Sequence, residues 1–218
     1  MEKLLKLHYN TFNNWDQLQQ FLELKGNPKY ELVGDVDLDQ REDIIDLSNL
    51  IRVYGNLWLS GVQFKSFGDV EYVGGYLYLE SSPIESFENL IRVDGSLYLQ
   101  DSQIKSLGSL KYVGKRLDLD ETQIQSLGNL EYVGGNLYLV KTPIESLDNL
   151  VRVNGDLDLR SSSIQSLGNL EYVGGYLDLH KTTIKSLGNI KYVDGEIILS
   201  KNHQIPKEQL TRFKIRYV

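Results

Sequence analysis

The stretch from Leu157 to Tyr176, LDLRSSSIQSLGNLEYVGGY, decides how this chain folds. Segments of the same 20-residue length superimpose on it without gaps from about Val62 to Leu199. Four apolar columns set the register. The first runs Phe64, Ile84, Ile104, Ile124, Ile144, Ile164, Ile184, and the second Phe67, Phe87, Leu107, Leu127, Leu147, Leu167, Leu187. The third runs Leu90, Leu110, Leu130, Leu150, Leu170, and the fourth holds a valine from Val53 through Val193. A spacer one residue longer, around Gln40–Asp43, introduces the first unit. A fixed period of this length is a solenoid signature, because one unit is too short to bury its own apolar face and stacking supplies a continuous core. Two separate globular domains are therefore not expected.

Within each unit G-x-L-x-L alternates, which reads as a strand with Leu157 and Leu159 inward and Asp156, Asp158 and Arg160 outward. Nine such strands, from Val36/Leu38 to Ile197/Leu199, would lie side by side in a parallel sheet. The remaining arc, I-x-S-L-x-N-L-x-x-V, mixes spacings of three and predicts short 3₁₀ or extended pieces on the opposite side.

The segments LYLESSPI (Leu77–Ile84), LDLDETQI (Leu117–Ile124) and LDLHKTTI (Leu177–Ile184) resemble the core of the leucine-rich repeats, L-x-L-x-x-N-x-L. Ser or Thr (Ser82, Ser102, Thr122, Thr142, Ser162, Thr182) stands at the family's Asn, and Gly74, Asp94, Gly134 or Asn154 where it has a leucine ahead of the strand. The closest flavour is the short bacterial or phage type, over roughly 165 of the 218 residues. The resemblance implies a right-handed superhelix with the parallel sheet on its concave face, 3₁₀ or extended segments on its convex face, and helical caps. It says little about function.

The boundaries follow: an N-terminal cap over 1–33, about eight 20-residue repeats over 34–200, and a C-terminal cap over 201–218. Asn14-Trp15-Asp16-Gln17 has capping-box form and Trp15, Leu18, Phe21 and Leu22 recur at helical spacing, predicting a helix over about 15–25 that covers the core's end. Pro206 opens a second helical piece through Phe213, with KIRYV after it.

Most polar columns have structural readings. The glycines ahead of the strands, such as Gly75, Gly95 and Gly155, suit a left-handed or crowded backbone position. Stacked serines (Ser66 to Ser186) and asparagines (Asn49, Asn89, Asn129, Asn149, Asn169, Asn189) suit ladders that satisfy turn backbone groups. Where Arg precedes the valine (Arg92, Arg152), the residue four earlier is acidic (Glu88, Asp148). That predicts an ion pair on a helix-like turn, with Arg and Tyr of adjacent coils stacking.

The fold does not dictate the outward strand positions, so function is sought there. Trp58, Tyr76, Tyr78 and Tyr98 form an aromatic patch, continued by Tyr138 and Tyr176, and such residues are common interface anchors. Asp118, Asp120, Asp156, Asp158 and Asp178 form an acidic stretch, with Arg160 and His180 beside it. These thirteen residues are the expected partner-binding set. The plain alternatives are cross-strand aromatic stacking, and neutralisation of the aspartates by Arg160 and lysines.

Charge sharpens the picture. The first 33 residues balance and the last 18 hold five Lys or Arg against one Glu, so a formal −7 overall becomes −11 on the repeats. Such a surface attracts cationic partners and disfavours nucleic acid. Zero Cys excludes disulfides, zinc–thiolate sites and thiol catalysis. The three histidines, His8, His180 and His203, are not neighbours in the repeat geometry, and neither G-x-S-x-G nor a phosphate loop occurs. No catalytic residue, cofactor or metal is expected; Asp35-Val36-Asp37-Leu38-Asp39 reads as strand and not as a calcium loop. No apolar leader or spanning run is present, which fits a cytoplasmic location. The expectation is a non-catalytic module that binds a protein through its open sheet. One alternative is a phage or bacterial inhibitor whose acidic face blocks a basic nucleic-acid-binding surface, such as a host defence nuclease. Another is a carbohydrate or cation binder.

Overall fold

The computed structural model describes residues 4–43, 47 and 49–218, so residues 1–3, 44–46 and 48 lie outside the description. The chain is a parallel β-solenoid of about nine coils. The L-x-L strands pair in register, Leu57 with Leu77, Leu77 with Leu97 and onward to Leu177 with Ile197. Val36 pairs with Leu57, an offset one residue larger, which is the longer first spacer.

The opposite side is more regular than its sequence suggests. The expected extended pieces form here, and two-residue strands such as Tyr132–Val133 and Arg152–Val153 join them into a second parallel sheet, ten strands wide like the first among the described residues. Among the described residues the one 3₁₀ segment is Tyr9–Thr11, outside the repeats. The reason lies in the backbone: Glu131 N–H donates to Lys111 C=O and Gly134 N–H to Val113 C=O, so each short strand closes a ladder with the coil before it.

Between the sheets lies one core. Ile124, Leu127, Leu130, Val133, Leu137 and Leu139 are fully buried, and the same positions are buried in the other coils except at Val193 of the last, which is partly exposed. Phe67 and Phe87 meet edge to face at 5.3 Å near the N-terminal end. The serine column pairs between coils through isolated parallel bridges, Ser86 with Ser106, Ser106 with Ser126 and Ser146 with Ser166, and its hydroxyls accept the N–H two residues on, as Ser126 does from Gly128 at 2.9 Å. The asparagine column ties coils together, Asn129 Nδ2 donating to Gly108 C=O at 3.1 Å and Asn149 Nδ2 to Gly128 C=O at 3.1 Å.

The glycines ahead of the strands are crowded and not left-handed. A Cβ on Gly95 would sit 2.3 Å from the Gly75 carbonyl oxygen. Within the repeats, positive φ angles recur instead in the column after the serines (Gly68, Gly108, Gly128, Asp148, Gly168, Gly188) and in a non-glycine column, Ser81, Asp101, Glu121, Lys141, Ser161 and Lys181.

Helix α1 spans Trp15–Leu24; Asn14 caps it by accepting the Gln17 N–H at 2.9 Å, and Trp15, Leu18 and Leu22 join the core. Before it, Leu5–His8 forms the outer strand of the second sheet, against Tyr30–Val33. Helix α2, Lys207–Leu210, is shorter than the expected run to Phe213. Lys214–Tyr217 then adds an outer strand to the first sheet, parallel to Glu196–Leu199. The alternation K-I-R-Y explains this, since Ile215 packs on the core while Lys214 and Arg216 face away. No helix among the described residues is long and apolar enough to cross a membrane.

Candidate functional site

The exposed face of the first sheet carries a ladder built by register alone. Trp58, Tyr78, Tyr98, Asp118, Tyr138, Asp158, Asp178 and Ile198 occupy successive rungs. The Trp58 and Tyr78 rings stack at 5.8 Å and those of Tyr78 and Tyr98 at 4.9 Å, each pair 5° from parallel. All three are half-buried, with Tyr78 stacked between the other two. Burial, with Tyr98 and Tyr76 nearby, pushes the Tyr78 hydroxyl pKa up. Tyr76 leans on Tyr78 at 6.1 Å, and its hydroxyl accepts from Lys115 Nζ at 3.2 Å.

At the next rung the structure departs from the sequence reading. Asp118, expected on the open surface as a charge for a partner, has no exposed side-chain surface. Arg116, assigned only to the neighbouring column, folds over it and forms an ion pair with its carboxylate. The guanidinium lies 5.7 Å from the Tyr98 ring centroid and 4.3 Å from that of Tyr138. It thus bridges two rings that stand two coils apart. The physical reason is that a short carboxylate leaves the rung uncovered, and a long planar cation fills that space while neutralising the acid.

Several aspartates also do backbone work that periodicity did not reveal. Asp118, Asp158 and Asp178 each accept, through Oδ1, the N–H two residues on, at 3.2, 3.0 and 2.9 Å. Asp156 Oδ1 accepts the Tyr176 N–H at 2.8 Å and Asp120 Oδ1 the Val140 N–H at 2.7 Å, each one coil ahead. Burial pushes the pKa of Asp120 and of Asp178 up, against the opposing pull of those backbone N–H groups.

Beyond Tyr138 the ladder opens. Asp158 is largely buried under Arg160, whose Nε and Nη2 reach its carboxylate at 2.9 and 2.6 Å. Arg160 lies 3.7 Å from Asp178 Oδ2, beyond hydrogen-bond length. Tyr138, Asp156, Leu157, Asp158, Arg160, Tyr176, Asp178 and Ile198 enclose a shallow pocket of about 170 Å³. His180 sits at its border, half-buried, as the residue whose N–H Asp178 accepts. Among the described residues no group of three or more His, Asp or Glu is placed to hold a metal ion.

The second sheet carries its own ladder. Arg92 lies 3.8 Å from the Tyr112 ring centroid, Tyr112 stacks on Tyr132 at 4.8 Å, and Arg152 lies 3.7 Å from Tyr172, so arginines and tyrosines of adjacent coils do stack. The expected pairs with the acids four residues earlier do not form. Arg92 Nε binds Asp94 at 2.6 Å and Arg152 Nε binds Asn154 at 2.6 Å, because in a strand the residue two on shares the face. Asp148 instead accepts from Ser126 Oγ and Leu127 N of the preceding coil.

Comparison with known protein families, with characterised proteins and with solved structures finds no match to this chain.

Proposed function

We propose that this protein is a non-catalytic binding module that engages a protein partner through the open face of its first sheet. The half-exposed row of Trp58, Tyr78, Tyr98, Arg116 and Tyr138 carries the reading. The solenoid's core is complete without it, since the inward leucines on the same strands are fully buried. Stacking on the sheet stiffens these side chains before any partner arrives, so little rotamer entropy is lost on binding. Trp, Tyr and Arg held in this way are the residues that dominate interface energies.

The test is affinity capture from the source cell with the wild-type chain and a Trp58→Ala/Tyr78→Ala/Tyr98→Ala variant whose far-UV circular dichroism is unchanged. Loss of the captured proteins with the variant supports the reading. Retention of every one of them rejects it.

A second reading, an inhibitor that occupies a basic nucleic-acid-binding surface, draws support from the carboxylates around the 170 Å³ pocket. Steep weakening of capture by salt distinguishes it from the first. The L-x-L-x-x-[S/T]-x-I segments support kinship with the short leucine-rich repeats, and α1 and α2 would then serve as caps.

A further inference from the structure

We propose that the pocket between Tyr138 and Tyr176 receives one arginine side chain of the partner; this rests on the reading of the open face as a binding surface. The volume is the first argument. About 170 Å³ falls well below the roughly 300–1,000 Å³ of clefts that hold drug-sized ligands, and it matches a single long side chain.

The second argument is charge. Asp156, Asp158 and Asp178 line the pocket against one cation, Arg160, which binds Asp158 at 2.6 Å and reaches Asp178 Oδ2 only at 3.7 Å, so three carboxylates share one guanidinium. Asp156 and Asp178 each spend one oxygen on a backbone N–H. Among the described residues no donor stands within hydrogen-bond length of the other oxygen of either. Two acceptor oxygens, that of Asp178 largely buried, therefore face a pocket lined by two tyrosines, Leu157 and Ile198.

The third argument is an internal template. Tyr98 and Tyr138 stand two coils apart with Asp118 between them, and a guanidinium of this chain fills that gap. Tyr138 and Tyr176 are likewise two coils apart, the second displaced by two residues along its strand, with Asp158 and Asp178 following. Two residues before Asp118 stands Arg116; before Asp158 and Asp178 stand Asp156 and Tyr176, which supply no cation. Arg216 of this chain lies 5.7 Å from the Tyr176 ring centroid but pairs with Glu196 and does not line the pocket, so the pocket repeats the acid and the rings of the upstream arrangement with the place between them left for a guanidinium from outside. A planar cation can stack on a tyrosine while donating to acceptors of two separate carboxylates, which an ammonium meets only as a point charge.

The experiment titrates N-acetyl-arginine N-methylamide into the full ¹⁵N-labelled chain, reading amide shifts, beside the same derivatives of citrulline and lysine. Arginine is expected to give saturable shifts at Tyr138, Tyr176, Asp178 and His180. Citrulline, of the same shape and uncharged, is expected to give none, and Asp178→Asn to weaken arginine about tenfold, the usual weight of a charged hydrogen bond. Asn keeps an acceptor for the His180 N–H, so the pocket's backbone is preserved. No saturable shift, equal binding of citrulline or lysine, or an unchanged affinity in Asp178→Asn overturns the proposal. If arginine fails to bind while the Trp58/Tyr78/Tyr98 variant loses its captured partner, the pocket proposal falls and the wider reading stands. If arginine binds while that variant keeps every partner, the pocket's preference for a guanidinium stands and the aromatic row from Trp58 to Tyr98 falls as the partner's footprint.

Discussion

Removing Arg116 alone exposes what the ladder costs where it carries an acid. In Arg116→Ala, Asp118 keeps the Asp120 N–H at 3.2 Å but loses the guanidinium that covers and neutralises it. Breaking one partner of a buried pair costs about 3–5 kcal/mol, because the remaining charge stays buried without its counter-ion. Here the Arg116 side chain is 42% exposed, so water enters the space it leaves and part of that penalty is recovered. A loss of about 2–3 kcal/mol results, which includes the contacts with Tyr98 and Tyr138 at about 0.5–1 kcal/mol each. The compensating pair is written in the next coil, where Asn136 and Tyr138 occupy the equivalent positions and Asn136 Nδ2 donates to the Tyr138 hydroxyl at 2.7 Å. Arg116→Asn/Asp118→Tyr removes the buried charge and continues the ring stack, so it should lie within about 1 kcal/mol of the wild type. Urea unfolding followed by far-UV circular dichroism reads both, the single substitution shifting the midpoint by roughly 1 M. Several transitions in place of one would show coils unfolding separately, and the loss would then be read on the transition that contains this coil. A single variant within about 0.5 kcal/mol of wild type, or a double variant as damaged as the single one, would refute the reasoning.

Three further outcomes follow from the same geometry. Gly95→Ala should cost about 3 kcal/mol because its Cβ meets the Gly75 carbonyl at 2.3 Å, whereas Gly188→Ala, at φ +58° with nothing within 4 Å, should cost about 1 kcal/mol; urea midpoints compare them. Burial raises the Asp178 pKa above 3.8, so its ionisation opposes folding; that penalty is absent below the unfolded value and grows as pH rises through the folded one. Asp178→Asn should therefore melt higher than wild type at pH 7 and lose that advantage toward pH 3.5, and a variant that melts lower at pH 7 contradicts the assignment. Asn129→Ala removes the donor to the Gly108 carbonyl and should cost about 1 kcal/mol, with faster amide exchange in the two coils it joins; unchanged exchange there would count against an inter-coil role for the asparagine column.

Much of this molecule is legible in its amino-acid sequence because the coil repeats with one period. A residue's neighbours in the first sheet are those 20 positions away, so the columns of Leu157, of Ser126 and of Asn129 read directly as core, turn and tie. The row of Trp58, Tyr78 and Tyr98 follows from the same count. The second sheet was harder to see. Its strands are two residues long, too short for an alternation, and they exist because their backbone groups find partners in the adjacent coil. The tail shows a similar limit: Lys214–Tyr217 alternates as a strand, but its partner, Glu196–Leu199, is chosen only when the chain turns back through α2.

The amino-acid sequence by itself determined the period, the identity of the core and the order of rungs on the open face, since all three depend only on spacing. Only the tertiary structure decided where the long cations go. Arg116 covers Asp118, Arg160 binds Asp158 closely and Asp178 only at 3.7 Å, and Arg92 turns to Asp94 instead of Glu88. An arginine reaches several carboxylates of its own and neighbouring coils, and the choice among them is made by distance, burial and the ring beside it, which no count along the chain contains.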